Sequence, residues 1–222
     1  MRGWSLAILA ALEPVLGKDK FDAGVRAVAE FKNYLKDVVA GRMRRRINDP
    51  AEILSGLIGA SAFASKTHDG EQLSELELIH NCIFLLNAGH ETTTNLIGNA
   101  VDLLIRHPAA MSDLRDHPET IETAVEEFLR MESSNQLGNR RAVQATRLGG
   151  AEIAAGTYVH ICIGAANRDP DQFPHPDRLD ICRHPNRHLA FGTGIHACAG
   201  RSLARMEGPG RDRTPALPLS DD

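Results

Sequence analysis

None of the four cysteines, Cys82, Cys162, Cys182 and Cys198, has another within two to four residues of it. That excludes the paired spacing of an ordinary zinc site. A chain of 222 residues with 42% hydrophobic residues can bury a sizeable core in one domain, and it needs no disulfide staples. A reducing compartment, the cytoplasm, is therefore expected. Long apolar runs are also missing, so no membrane span is expected. The N-terminal "MRGWSLAILAALEPVLG" has a single arginine and a short apolar stretch. It reads as the tail of a core helix rather than as a secretion signal. With a net charge of −4 the chain carries no general attraction for polyanions, and no nucleic-acid partner is expected. The one basic run, "RMRRR" at 42–46, suits a solvated helix end, where cations complement the dipole. No internal repeat is visible.

What the chain does have is helical periodicity, then a change of texture. Phe21, Val25, Val28, Phe31, Leu35 and Val38 recur at steps of three and four and predict one helical stripe between Lys18 and Arg46. "NDPAEILSGLIG" predicts another helix, capped by Asp49 with Pro50 in its first turn, and "SKTHDGEQ" predicts a loop. Ser74 and Glu77 form a capping box that opens a long helix. Its pattern runs through Leu76, Ile79, Ile83, Leu86, Ile97, Val101 and Leu104 and stops at His107-Pro108. In the middle, "NAGHETTTN" interrupts the apolar face with small and polar residues. A further helix starts at Pro118. After Gly138 two β-like runs are separated by Gly-Gly and Gly-Thr turns, and the Pro-, Asp- and Arg-rich stretch up to His188 predicts coil. The fold class expected is mainly α with a small β portion. The last residues, "GPGRDRTPALPLSDD", have three prolines in fifteen positions and no periodicity.

The chemistry concentrates in "FGTGIHACAG", residues 191–200. A cysteine opening a helix has its thiolate favoured by the free N–H groups there. Glycines around it let the backbone approach a large planar object, and a lone thiolate can be the axial ligand of a haem iron. An inert buried cysteine is the competing reading on residue type alone. A zinc module built from Cys182, His184, His188 and Cys198 is another, although its spacing suits no ordinary zinc pattern.

The whole pattern, F-G-x-G-x-H-x-C-x-G, resembles the haem-binding loop of the cytochrome P-450 family of haem-thiolate monooxygenases, in its soluble bacterial form. Three more stretches fit in family order: "AGHETT" at 88–93, "EFLR" at 127–130 and the strand "NRRAVQAT". The resemblance implies Cys198 as the ligand of iron in haem b (iron protoporphyrin), with His196 and Arg140 on its propionates and Phe191 beside the thiolate. Gly192, Gly194 and Gly200 would give close backbone approach. Arg141 competes with Arg140 for its role.

Ala88 and Gly89 would let the long helix approach the haem, and Thr92 would break the helical bonding locally and offer a hydroxyl to bound oxygen. Glu91 would feed protons through water. Glu127 and Arg130, closed by Arg178 from the later coil, would form a buried structural lock. Asn87, Ala88 and residues 136–138 would face the cavity.

By the same resemblance the chain would activate dioxygen to oxidise a small organic substrate. It would take electrons from a ferredoxin-type donor and its reductase, docked where Arg187, Arg201 and Arg205 give positive charge. The likeness runs from about Lys18 to Glu207, so residues 1–207 are expected to be the C-terminal half of such a domain and 208–222 a divergent tail. Such a half would expose apolar faces, so low stability and poor haem retention are expected; a non-catalytic remnant of such an enzyme is the alternative expectation.

Overall fold

The computed structural model describes residues 2–13, 17–45, 53–59 and 73–207; the helix predicted from Asp49 and Pro50 is described only over 53–59, and the loop at 65–72 and the tail at 208–222 lie outside the described residues. Among the described residues four helices come first: α1 (Arg2–Ala10), α2 (Lys18–Arg45), α3 (Ile53–Gly59) and the 32-residue α4 (Glu75–Arg106). α5 (Pro108–Asp116) and α6 (Ile121–Met131) follow, joined by a 3₁₀ turn at Pro118–Thr120. Then come strands β1 (Leu137–Arg141), β2 (Thr146–Leu148), β3 (Ala151–Ile153) and β4 (Tyr158–Cys162), and the short α7 (Ile163–Ala166). A long coil leads to a 3₁₀ turn at Gly194–His196 and to α8 (Arg201–Glu207). The mainly helical class with small sheets is what the sequence predicts. Among the described residues, no helix is long and apolar enough to cross a membrane.

The chain divides into two compact units, residues 1–91 and 92–222, with the boundary inside α4. The first unit is built around Phe31, Leu35 and Val39 of α2 and Leu78, Ile79 and Ile83 of α4. Trp4 of α1 stacks on Phe31 with ring centroids 5.1 Å apart, and its indole N–H donates to Glu30 at 2.8 Å.

The buried line of α2 differs from the predicted stripe. It runs through Gly24, Ala27, Phe31, Leu35 and Val39, while Phe21 and Val25 are 52% and 53% exposed. The reason is α1, which docks where α2 is smallest. A Cβ at Gly24 would collide with the Cβ of Ala11 and stand 3.2 Å from the carbonyl oxygen of Ala7. Neither neighbour is a flexible side-chain end, so Gly24→Ala is expected to destabilise this unit by about 1–3 kcal/mol. The single tryptophan, Trp4, reads this directly: the urea midpoint of its fluorescence should fall, and an unchanged midpoint would refute the contact.

α4 opens as predicted. The Ser74 hydroxyl accepts from the Glu77 N–H at 3.3 Å, and the Glu77 carboxylate accepts from the Ser74 N–H at 2.8 Å. Its packing departs from the single predicted stripe. Leu96 and Leu103 are buried, whereas Leu76, Leu86, Ile97 and Val101 are exposed, because the buried side follows Leu78, Ile79 and Ile83 in one unit and Leu96 and Leu103 in the other. The sequence pattern does not announce α5. Pro108 ends α4 but also starts α5, since proline at a first helical position loses no hydrogen bond.

The second unit packs Leu96 and Leu103 of α4 with Ala124, Val125, Phe128, Leu129 and Met131 of α6 and with Ile181 of the coil. β1 pairs antiparallel with β4, with Arg140 opposite Val159. β2 and β3 form a hairpin whose two-residue turn, Gly149-Gly150, has φ of 56° and 84°. Both values lie in the left-handed region, which glycine enters without strain.

Candidate functional site

The predicted lock is a buried charged group of the second unit. Glu127 and Arg130 lie one turn apart on α6, and both side chains are 0% exposed. Arg130 donates to Glu127 through Nε and Nη2, each at 2.8 Å. Its Nη1 reaches the carbonyls of Asn167 at 2.9 Å and Pro176 at 2.7 Å, and the guanidinium stands 5.3 Å from the centroid of Phe173. Glu127 accepts further bonds from the backbone N–H of Asp180 at 3.0 Å and from the Asn186 amide at 3.0 Å.

The arginine that closes the cluster is Arg183, not Arg178. Arg183 Nε lies 3.1 Å from one Glu127 oxygen and 3.2 Å from the other. The exposed Arg178 contributes only its backbone carbonyl, which accepts from Arg130 at 3.3 Å and from Arg183 at 3.4 Å. The coil turns at Asp180, whose N–H is bound to Glu127, and that turn aims position 183 inward.

Next to the lock, α6 carries a second carboxylate. Glu126 accepts from Arg205 of α8 at 2.6 and 2.8 Å and faces His188 Nε2 at 3.1 Å. The Ala190 N–H donates to His188 Nδ1 at 3.2 Å, so the imidazole carries its proton on Nε2 and gives it to Glu126. Burial alone would raise the Glu126 carboxyl. The hydrogen bonds from Arg205 and His188, with the positive charge of Arg205, outweigh it and hold the pKa down at about 2, against an ordinary 4.5. The same bond raises Arg205 above its usual range.

A depressed folded pKa gives stability that is complete above the unfolded value and is lost as pH falls through the folded one. The share supplied by Glu126 is thus expected to disappear between pH 4.5 and about 2. Acid unfolding followed by circular dichroism should be shallower over that window in Glu126→Gln; identical profiles would contradict this.

The cysteine loop is attached to this cluster. Phe191 packs on the core of the second unit, Arg205 lies over its ring at 4.8 Å, and the His188 ring is 6.0 Å away. The Phe191 carbonyl accepts the backbone N–H of Cys198 at 2.8 Å. Between them Gly192 and Gly194 have φ of 64° and 69°. A Cβ at Gly194 would meet nothing within 4 Å, and one at Gly200 would meet only Cys198 Sγ, at 3.9 Å.

Cys198 and His196 are exposed. Of the other cysteines, Cys162 and Cys182 are exposed outside this loop, and burial pushes the half-buried Cys82 thiol up, which disfavours a thiolate there. The loop therefore presents one sulfur beside open, Cβ-free backbone. Such a surface fits a wide flat group that brings its own equatorial ligands, as a porphyrin does. It does not fit a bare ion: no group of three or more His, Cys, Asp or Glu able to hold a metal exists among the described residues, and both His188 nitrogens are engaged. The zinc arrangement is thereby overturned.

The remaining predicted residues are spread over both units. Arg140 is exposed on β1 and donates to its neighbour's carbonyl, Asn139 O, at 2.8 Å. Arg141 is engaged by Gly156 O at 3.2 Å and by the Tyr158 ring at 5.7 Å. Ala88 and Gly89 are exposed on α4, and the half-buried Glu91 lies 4.0 Å from His90 Nδ1. Asn87 is buried, with its amide on the Ile83 carbonyl at 2.8 Å.

Helix α4 does not end at Thr92. α4 runs through it, and the Thr92 carbonyl accepts the Ser134 hydroxyl at 2.7 Å, which a carbonyl with two lone pairs can do inside a helix. Arg205 is exposed like Arg187 and Arg201, but it is not a free surface cation, because Glu126 takes its guanidinium. The sequence does not mark Arg183, Glu126 or His188 as members of these clusters. Their partners are 56, 79 and 62 positions away, and no local spacing signals that.

Comparison with known proteins bears on the same residues. A family model described as cytochrome P-450 matches residues 6–123 and 119–208. A biotin biosynthesis cytochrome P-450 of Bacillus subtilis is 36% identical over 100% of this chain and 55% of its own length. A vitamin D(3) 25-hydroxylase of Pseudonocardia autotrophica is 42% identical over 82% of this chain and 43% of its own length. Among solved structures, a BioI P-450 in complex with hexadec-9Z-enoic acid ligated acyl carrier protein superposes with a TM-score of 0.83 at 38% identity, covering 93% of this chain and 50% of that one. The chain spans about half the length of the curated relatives it matches.

Proposed function

The chain belongs to the cytochrome P-450 family, and from that membership we propose that it takes haem b on the Cys198 loop and serves the oxidation of a small organic substrate by dioxygen. Members of the family bind haem b and need a redox partner and a substrate. The observation that carries the reading is the loop itself: a single exposed thiol on a residue whose backbone N–H donates to the Phe191 carbonyl, beside two glycines of positive φ with open space around Gly194.

When bound, a thiolate-ligated haem supplies dioxygen activation and the transfer of one oxygen atom. The chain's own residues prepare that chemistry. Cys198 gives electron density through sulfur. Its backbone N–H, tied to the Phe191 carbonyl at 2.8 Å, fixes the direction from which the sulfur approaches. Gly192, Gly194 and Gly200 keep Cβ atoms out of the approach. His196 and Arg140 supply donors for the two propionates, with Arg141 as the competing arginine; Arg140 is held by the Asn139 carbonyl and Arg141 by the Gly156 carbonyl and the Tyr158 ring. By family membership, Glu91 would pass protons through water at its carboxylate and Thr92 would offer its hydroxyl. Ala88 and Gly89 keep that stretch of α4 slim.

Glu127, Arg130 and Arg183 have no part in the chemistry: with both members of the pair fully buried and saturated, they hold the coil that leads into the loop. The electron donor is of the ferredoxin type, with its reductase, and Arg187 and Arg201 offer it positive charge. The cytoplasm is the compartment.

The test is the carbon-monoxide difference spectrum of the reduced chain after haem loading. A red-shifted band of thiolate-ligated iron is expected. A band of histidine-ligated type, or no haem uptake, would overturn the proposal.

A further inference from the structure

We propose that Glu126 is a positioning residue for the Cys198 loop: by holding Arg205 over the Phe191 ring and His188 beside it, it fixes the carbonyl that carries the Cys198 N–H, and so sets how the sulfur is presented. The inference rests on the reading of Cys198 as the haem ligand.

The chain of contacts is short, and each link is made within the second unit. Glu126 stands on α6, a helix anchored in the core through Ala124, Val125, Phe128 and Leu129. Its two oxygens take the Arg205 fork at 2.6 and 2.8 Å, and one of them takes His188 Nε2 at 3.1 Å. Two bonds to one guanidinium fix its plane as well as its place. Arg205 then lies 4.8 Å from the Phe191 centroid, and His188, whose side chain is 2% exposed, lies 6.0 Å from it. Phe191 in turn accepts from the Cys198 N–H at 2.8 Å.

Arg205 and Phe191 flank Cys198 on both sides in sequence, so one carboxylate from α6 grips both ends of the loop. A cluster serving stability alone would need no such arrangement around a single ring. The adjacent Glu127 cluster shows the difference, because it fastens the earlier coil through backbone carbonyls and touches no residue between 191 and 200.

The test uses the 222-residue chain with Glu126→Gln and, as a second variant, Arg205→Met, which keeps apolar cover on Phe191 but removes the fork. Hydrogen exchange of the haem-free chain is read first. The segment 190–199 is expected to exchange about tenfold faster in both variants, while β1 and β4 keep their protection. After haem loading, the red-shifted carbon-monoxide band should shrink at unchanged haem content, and the double variant should behave like either single one.

Equal acceleration across the whole unit would mean that Glu126 only stabilises, and the proposal would fall. It would also fall if 190–199 and the band were both unchanged. If the parent chain shows no red-shifted band while exchange at 190–199 still rises, Cys198 is not the ligand but Glu126 does position the loop.

Discussion

Glu127→Ala is expected to cost the second unit about 3–5 kcal/mol, the range for removing one partner of a buried ion pair. The carboxylate it removes is fully buried and serves Arg130, Arg183, Asn186 and the Asp180 N–H together. Alanine leaves two guanidinium groups facing each other without an anion. The desolvation they have already undergone is no longer offset. Against a typical domain stability of about 5–15 kcal/mol, the loss takes most of the margin. Urea unfolding followed by far-ultraviolet circular dichroism measures it.

The same assay separates the two coil arginines. Arg183→Ala should be clearly destabilising, since its Nε touches both Glu127 oxygens. Arg178→Ala should stay within about 0.5 kcal/mol of the parent, because only its main-chain carbonyl takes part. Equal losses for the two would contradict the assignment of Arg183.

Cys198→Ser is expected to remove the red-shifted carbon-monoxide band completely. Serine keeps the size and the loop geometry, and the N–H bond to Phe191 does not involve the side chain. What it lacks is a soft anion: a hydroxyl does not ionise near neutral pH and binds iron weakly beside a thiolate. Cys162→Ser and Cys182→Ser should keep the band, since neither lies in the loop, although both are as exposed as Cys198. The comparison thus separates position from mere thiol accessibility. A band that survives Cys198→Ser and vanishes with another cysteine would move the site.

Local chemistry was legible in the sequence, and distant chemistry was not. The Ser74–Glu77 box and the Gly149-Gly150 turn were readable because each is decided within four residues. The Glu127–Arg130 pair was readable because three positions on a helix make one turn. Which arginine of the coil completes it depends on the course of an irregular segment, and Arg178 and Arg183 are equal candidates until that course is known. The face of α2 slipped toward Gly24 and Ala27 because a docking helix selects small residues, a preference that hydrophobic periodicity does not register. Pro108 marks a stop by its steric effect on the residue before it, and the same residue is as good a start. The Glu126, His188 and Arg205 cluster joins three segments far apart in sequence, and no motif encodes it.

Iron K-edge X-ray absorption on the haem-loaded chain tests the central claim most directly. One sulfur neighbour beside the porphyrin nitrogens is predicted for the parent, and its loss is predicted in Cys198→Ser. A first shell of nitrogen and oxygen alone in the parent, or a sulfur that persists in the variant, would contradict it.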